Sequence, residues 1–474
     1  MAESFSGTRV TVMGLGTRGG GVGVARWLVD QGAVVTVTDT KPPSTLESSV
    51  ALLEDLPIRF VLGRHDAADF TREGADLVVR NPGVPRRATM LTLARESGLP
   101  VEMEMTLFLR NCPAPVIGIT GTKGKTTTAT LCAVMLRASD APTILAGNMG
   151  VSALGQLAQI TPDTPVVIEL SSWQVEGLIE HRLSPSIAVI TNIAEDHLDH
   201  YDGFADYAAT KRGLIRHQQP SDVAILNADD PEVWRAAGET NARIIPFGRG
   251  DASRPGAWLQ GDRLSWREDG DLISFQRPSG LGLAGPHGAA NALAAMAAAL
   301  MRGASPDAVG SALNAFTGVR DRMERVADID GVLFINDTAA TAPAATEAAL
   351  RTLADRHVHL ILGGSDKKLN LEPLANAAMS ASSLHLLAGT ATPHLRELLA
   401  ARDRIALSVY DDMAAAVAAA MAQARAGDVV LLSPGCASFG LFQDEFERGQ
   451  RFRDAVAALS TAISGQPITD LRQS

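Results

Sequence analysis

APVIGITGTKGKTTT, residues 114–128, decides the fold. An apolar run with no charge ends in a glycine- and threonine-rich loop, and the loop opens a helix. Strand, loop and helix in that order make a parallel α/β unit whose backbone N–H groups can wrap phosphate oxygens. In such a loop Lys125 reaches the β- and γ-phosphates, and the Thr126 hydroxyl takes a magnesium ion. The spacing departs from a strict phosphate-loop signature. Gly118 lies one residue too far from Gly124-Lys125, and Gly121 sits inside the loop instead. The competing reading is a loop that only caps its helix.

The same alternation extends both ways. Upstream, TRVTVMGLG (8–16), AVVTVTD (33–39), IRFVLG (58–63) and ADLVVRNPG (75–83) read as strands, with VGVARWLVDQG (22–32) as a helix stopped by glycine. Downstream, PVVIELSS, SIAVITNI and DVAILNAD read as core strands of the second unit, and residues 251–282 as a small antiparallel excursion before an Ala-rich helix near 289–301. GVLFIND, HVHLILGG, SLHLLAG and DVVLLSPG then read as strands of a third unit. The fold expected is α/β in three domains, each a mainly parallel sheet with flanking helices: 1–104 Rossmann-like, 105–318 a central phosphate-loop ATPase type, and 319–474 Rossmann-like again.

Composition narrows the function. The chain has 474 residues, enough for about three domains, and 42 basic against 53 acidic side chains give a net charge of −11. That balance argues against bulk nucleic-acid binding. Three cysteines without metal-type spacing argue against a disulfide framework and suit a reducing cytoplasm. No signal peptide or apolar run long enough for a membrane span is visible.

Further candidate residues cluster at strand ends, where open α/β sheets bind ligands. Gly14-Leu-Gly16-Thr-Arg-Gly19 precedes a helix, and Asp39 closes the next strand. This is a dinucleotide-type fingerprint, which by itself suggests a nucleotide ligand, as in an NAD-dependent oxidoreductase, ahead of a simple tight turn. Glu169 ends a strand beside the phosphate loop, followed by Ser171-Ser172. Glu195-Asp196-His197-Leu198-Asp199-His200 ends another, and acid with histidine suits a metal or a phosphate. Lys211 in DYAATKRGL reads as a solvated helix face. In the third unit Asn336-Asp337-Thr338, Gly363-Gly364-Ser-Asp366-Lys367 and Ser433 to Ser438 follow strands, and Arg322 could reach a γ-phosphate or form a structural ion pair.

Taken together the motifs resemble the ATP-dependent Mur ligases of peptidoglycan precursor synthesis, over nearly the whole chain and in order. They are GLGTRG (14–19), NPG (81–83), GITGTKGKTT (118–127), GNMG (147–150), ELSSWQVE (169–176), NIAEDHLDHY (192–201), GPHGAAN (285–291), FTGVRDRME (316–324), FINDTAAT (334–341), LGGSDKK (362–368) and LLSPGCASF (431–439). The resemblance implies roles. The first domain holds the UDP of a sugar nucleotide, with Thr17, Arg18, Asp39, Thr40 and Gly83 at uridine positions. Asn148, Ser171 and His197 lie toward the UDP-sugar. Gly121, Thr122, Lys123, Gly124, Lys125, Thr126 and Thr127 match the ATP loop, with Asn291, Arg322 and Asp337 as further ATP contacts. Thr126, Glu169, His197 and Lys211 match positions around two magnesium ions, Lys211 through carbamylation. Thr341, Lys367, Ser438 and Phe446 match positions around an incoming glutamate. Lys125, Glu169, His197, Lys211 and Arg322 would carry catalysis.

The implied reaction joins glutamate to UDP-MurNAc-L-alanine. The nucleotide's carboxylate attacks the γ-phosphate of ATP, and the amino acid's amine then displaces phosphate from the acyl phosphate. A monomer acting on these small molecules alone is expected. Three positions depart from the usual pattern. The lysine of NDSKATN is absent from Asn336-Asp-Thr-Ala339-Ala-Thr-Ala342. GxHN becomes Pro286-His287-Gly288. The second Phe of FxNFExRG shifts to Phe446. Two of the three fall at the amino-acid pocket, so D-glutamate and L-glutamate both stay open. A nucleotide-binding protein without catalysis is the non-enzyme alternative; the retained Lys125, Glu169, His197 and Lys211 argue against it.

Overall fold

A computed structural model describes residues 5–17, 19–196, 200–268, 270, 272–278, 283, 285–367, 369–404 and 407–464. Its contacts gather into two compact units, one of residues up to Arg277 with Pro286–Ala315, the other of Pro278–Gly285 with Phe316 onward.

The first unit holds two sheets. One contains β1 (Arg9–Met13), β2 (Val34–Asp39), β3 (Arg59–Leu62), β4 (Leu77–Arg80) and β5 (Val101–Met103), ordered β3-β2-β1-β4-β5. All its pairings are parallel. The order reverses beside β1, and the loop after β1 opens at that switch point, where ligands of open α/β sheets sit. The second sheet contains β6 (Val116–Thr120), β7 (Ile144–Gly147), β8 (Val166–Glu169), β9 (Ile187–Ile190), β10 (Val223–Asn227), β11 (Arg243–Arg249), β12 (Gly256–Gln260), β13 (Arg263–Arg267) and β14 (Ile273–Gln276). Its order is β14-β13-β12-β11-β10-β9-β6-β8-β7.

β6, β8, β9 and β10 are apolar along their length because both faces are covered. The expected antiparallel excursion is a hairpin of β12, β13 and β14, but it extends the same sheet: β12 pairs parallel with β11 before the chain turns back. The Ala-rich helix is longer than the periodicity indicated, running Gly285–Met301.

The second unit carries β15 (Glu324–Ile329), β16 (Val332–Asn336), β17 (Val358–Gly363), β18 (Ser383–Leu387), β19 (Val409–Tyr410) and β20 (Val429–Leu432), ordered β15-β16-β20-β17-β18-β19. Only β15 runs antiparallel, against β16. Apolar clusters fill both faces of this sheet. Near the strand starts, Ser383 Oγ lies 2.8 Å from His359 Nδ1 and 2.9 Å from His385 Nε2, while Asp428 takes His359 Nε2 at 3.1 Å. That chain satisfies the buried polar groups of His359, Ser383 and His385.

Among the described residues no helix is long and apolar enough to cross a membrane. Cys112, Cys132 and Cys436 are free thiols.

Candidate active site

The phosphate loop joins β6 to the helix Lys125–Arg137, and Gly124 caps that helix at φ 83°. A Cβ there would run into the Asn291 side chain, and one at Gly121 into Thr191 Oγ1, so both glycines are sterically required. Loop carbonyls are tied down from the next strand end: Thr191 Oγ1 donates to Lys123 O at 2.7 Å and Asn192 Nδ2 at 2.8 Å. Lys125 Nζ folds back onto the carbonyls of Gly121 and Thr122, 3.0 Å from each. Thr126 is half-buried and Thr127 buried in the helix's first turn, whose N–H groups and dipole favour an anion. Lys123 is exposed and pairs with Asp196 at 3.4 Å.

Two buried side chains face this loop from neighbouring elements. Glu169, 2% exposed at the end of β8, accepts from Asn148 Nδ2 at 2.9 Å through Oε1, while its Oε2 is buried with no partner. Lys211, also 2% exposed, lies in the helix Phe204–Arg212 with Nζ 5.0 Å from the Tyr207 ring centroid. Burial holds its amine well below the ordinary lysine range. The charge of Lys125 adds to this, and Asp196 and Glu169 oppose it. Reading Lys211 as a solvated helix face is therefore wrong: the residue is enclosed, and burial works against its charge.

Thr122 Oγ1 accepts from Ala194 N at 3.0 Å and meets Tyr207 OH at 3.0 Å. Ser171 is engaged as the N-cap of the helix Ser172–Glu180, in a reciprocal box with Gln174. Asn291 packs on the phosphate loop itself, with Oδ1 3.5 Å from Thr128 Oγ1. His197 lies outside the described residues, as does Arg18.

At the first sheet, Asp39 accepts from Gly16 N at 3.0 Å and from Lys41 N at 2.9 Å. It thus shapes the loop that Thr17, Thr40 and Gly83 leave exposed. Asn81 Oδ1 accepts from Gly83 N at 3.1 Å, fixing the turn after β4.

In the second unit Asp337 is buried between Ser433 Oγ (2.8 Å) and Met323 N (3.2 Å). Burial pushes its carboxyl up to about 6, against the hydrogen bond from Ser433 and the charge of Arg322. Lys367 Nζ donates to Thr341 Oγ1 at 3.0 Å, Ser438 Oγ is buried without a partner, and Phe446 is exposed.

Sequence reading missed Arg448. It is fully buried, donating to Thr338 Oγ1 (2.9 Å), Thr338 O (2.9 Å) and Cys436 O (3.1 Å). It locks the loop after β16 to the loop after β20. Tyr207 was also missed, although its place four residues before Lys211 puts both on one helix face.

A phosphate-binding loop beside a buried carboxylate with one unpaired oxygen and a buried amine, in a chain of mainly parallel sheets, defines a nucleotide-dependent group-transfer enzyme. The chain belongs to the Mur ligase family, an assignment carried by family models and by long, similar relatives. Residues 8–102 match the Mur ligase MurD-like N-terminal domain, 119–299 the Mur ligase middle domain, and 321–436 the Mur ligase glutamate ligase domain. The chain is 47% identical over 470 residues to a UDP-N-acetylmuramoylalanine–D-glutamate ligase of Roseiflexus sp. strain RS-1, covering 96% of this chain and 100% of that one. It is 38% identical to the protein of the same name from Symbiobacterium thermophilum, covering 95% and 98%. In fold it is similar to UDP-N-acetylmuramate-alanine ligase MurC from Thermotoga maritima, with TM-score 0.60, 19% identity, and 95% and 100% coverage. E. coli FolC in complex with ADP gives TM-score 0.55 and 18% identity, covering 76% and 92%. The match at 8–102 leaves the oxidoreductase reading of the Gly14–Gly19 loop without support.

Proposed function

We propose that the chain joins D-glutamate to UDP-N-acetylmuramoyl-L-alanine with ATP, through an acyl phosphate, in peptidoglycan precursor synthesis. The observation that carries the reading is the grouping of the buried Glu169 and Lys211 with Lys125 at the phosphate loop, in a chain whose full-length relatives bear that ligase name. Two anions, a carboxylate and the γ-phosphate, must meet. Lys125 and the N–H groups of the Gly124 helix start neutralise phosphoryl oxygens, and low local dielectric strengthens both effects. Arg322 and Asp337 are the further ATP contacts of this reading. Thr17, Arg18, Asp39, Thr40, Gly83, Asn148, Ser171 and His197 serve the UDP-sugar, and Thr341, Lys367, Ser438 and Phe446 the amino acid.

The donor set at the loop fits magnesium. Among the described residues no three His, Cys, Asp or Glu side chains gather as a metal site. Yet Mg²⁺ takes one or two carboxylates plus substrate phosphates, and Glu169 Oε2 is a hard oxygen held dry and unpaired. Thr126, Glu169, His197 and Lys211 would hold the ions, which when bound supply charge neutralisation at the phosphoryl oxygens. Lys211 would contribute as a carbamate: its ammonium loses one proton, which burial favours, and the free amine adds to CO₂, forming an N–C bond and releasing a second proton, so that two protons in all leave as a costly buried cation becomes an anion. We propose domain limits of 1–104, 105–318 and 319–474, and a cytoplasmic monomer.

The test is phosphate release from Mg-ATP and UDP-MurNAc-L-alanine with D- or L-glutamate. Turnover with D-glutamate alone is expected. Turnover only with L-glutamate would move the assignment to the other enantiomer, and none with either would remove the substrate reading.

A further inference from the structure

The turn after β4 is held from below by arginines that serve no ligand role above. Arg80, 0% exposed, donates through Nη1 to Val84 O at 3.0 Å, so it grips the turn containing Gly83. Its Nη2 meets Glu176 Oε2 at 3.2 Å, and its Nε is buried without a partner. Glu176 lies in the helix Ser172–Glu180, which starts three residues after Glu169 and is fixed by the Ser171–Gln174 box. The other Glu176 oxygen stands 3.4 Å from His200 Nε2, not hydrogen-bonded to it. Six residues along, Arg86 pairs with Asp206 at 2.9 Å and lies 5.9 Å over the Tyr201 ring. Asp206 is in the first turn of the helix that carries Lys211. One turn of the first sheet is thus clasped to both helices that place the buried groups of the second.

We propose that this clasp couples the two sites: filling the nucleotide-sugar turn and filling the ATP–magnesium loop favour each other through Arg80–Glu176 and Arg86–Asp206. The inference rests on the ligands assigned above. A buried arginine with an uncommitted Nε is poor stabilising chemistry, because the desolvation it suffers is not fully repaid. Its geometry instead leaves little slack: a shift of the turn by a few tenths of an ångström must be taken up by Glu176 or lose the pair. The open 3.4 Å approach of His200 to Glu176 leaves room for the contact to tighten when the turn is occupied. Arg80, Arg86, Glu176 and Asp206 are positioning residues, acting through Glu169 and Lys211 rather than on substrate. Coupling of this kind is reciprocal, so either ligand reports it.

The experiment is calorimetric titration of the full chain with UDP-MurNAc-L-alanine, alone and with Mg²⁺ and a non-hydrolysable ATP analogue. The reverse order is run in parallel. In the unaltered protein the affinity should rise by about five-fold or more when the other site is filled, with the same factor both ways. The paired replacement Arg80→Met with Glu176→Leu strands no buried charge, and Arg86→Gln alters a half-exposed pair. In both, the factor should fall toward one while each ligand alone still binds within about three-fold. A factor retained in the paired variant, or no coupling in the unaltered protein, overturns the inference and leaves the ligase reading standing. No binding of UDP-MurNAc-L-alanine to the unaltered protein overturns both.

Discussion

The phosphate-loop site and the loop cluster around Arg448 are both buried and charged, yet they are wired in opposite ways. At the first, Glu169 keeps one oxygen unpaired, and burial and the charge of Lys125 work against the charge of Lys211 more than Asp196 and Glu169 support it. At the second, Nε, Nη1 and Nη2 of Arg448 all have acceptors, and burial pulls its pKa down only to about 10, so it stays charged at neutral pH. At the phosphate loop, the unsatisfied oxygen stands where a ligand is to supply the missing partner. Satisfied buried polarity stands where the protein holds its own shape.

If that contrast is right, the two sites fail differently. Lys211→Ala should lower turnover about 10³-fold or more, over 4 kcal/mol of barrier, with little loss of melting temperature, because a strained buried amine is being removed. Bicarbonate or acetate should restore part of the rate. Full activity in the variant would remove Lys211 from the mechanism. Arg448→Met should do the reverse and cost about 3–4 kcal/mol of stability by stranding the carbonyls of Thr338 and Cys436. A denaturant midpoint unchanged from the parent would show that the cluster does not hold the second unit together.

The same contrast explains what the sequence made legible. Strands buried on both faces announce themselves as apolar runs, so β6, β8, β9, β16 and β20 are readable one by one, and β1 and β17 despite Thr11 and His359. β5, β7 and β19 are two to four residues long, and β15 carries Glu324, Arg325 and Asp328; each is a strand only because a neighbour offers a ladder. β11, RIIPFGR, is masked by Pro246. At the site, the glycines and Lys125 are visible because loop geometry restricts residue type. Lys211 is visible only through family resemblance, since nothing local distinguishes a lysine facing a cavity from one facing water. Arg80 and Glu176, 96 residues apart, are joined by tertiary packing that no window of sequence displays.

Asp337 offers a smaller, pH-dependent test. Its folded pKa of about 6 lies above the unfolded value of 3.8. Between those values the native state holds the proton more tightly, so the stability this group contributes is full below 3.8 and is lost as pH rises through 6. About two units correspond to at most about 3 kcal/mol. Asp337→Asn removes the titration, so the variant's melting temperature should gain on the parent's from pH 4 to pH 7. A constant difference across that range would mean that Ser433 and Arg322 offset the burial entirely.

The smallest expected effect sharpens the comparison most, because it asks whether the phosphate loop has any self-held part. Thr122 Oγ1 accepts from Ala194 N at 3.0 Å and shares a 3.0 Å contact with Tyr207 OH, a satisfied buried pair close to the site of the unpaired Glu169 oxygen. Thr122→Val keeps the shape and removes the hydroxyl, which should cost about 1–2 kcal/mol by leaving Ala194 N–H unpaired. Tyr207→Phe should cost about 1 kcal/mol. The double variant should cost less than the sum by about 0.5–1 kcal/mol, the signature of a shared hydrogen bond. Strict additivity would mean that the two hydroxyls do not interact in solution and that this pair does not help to order the loop.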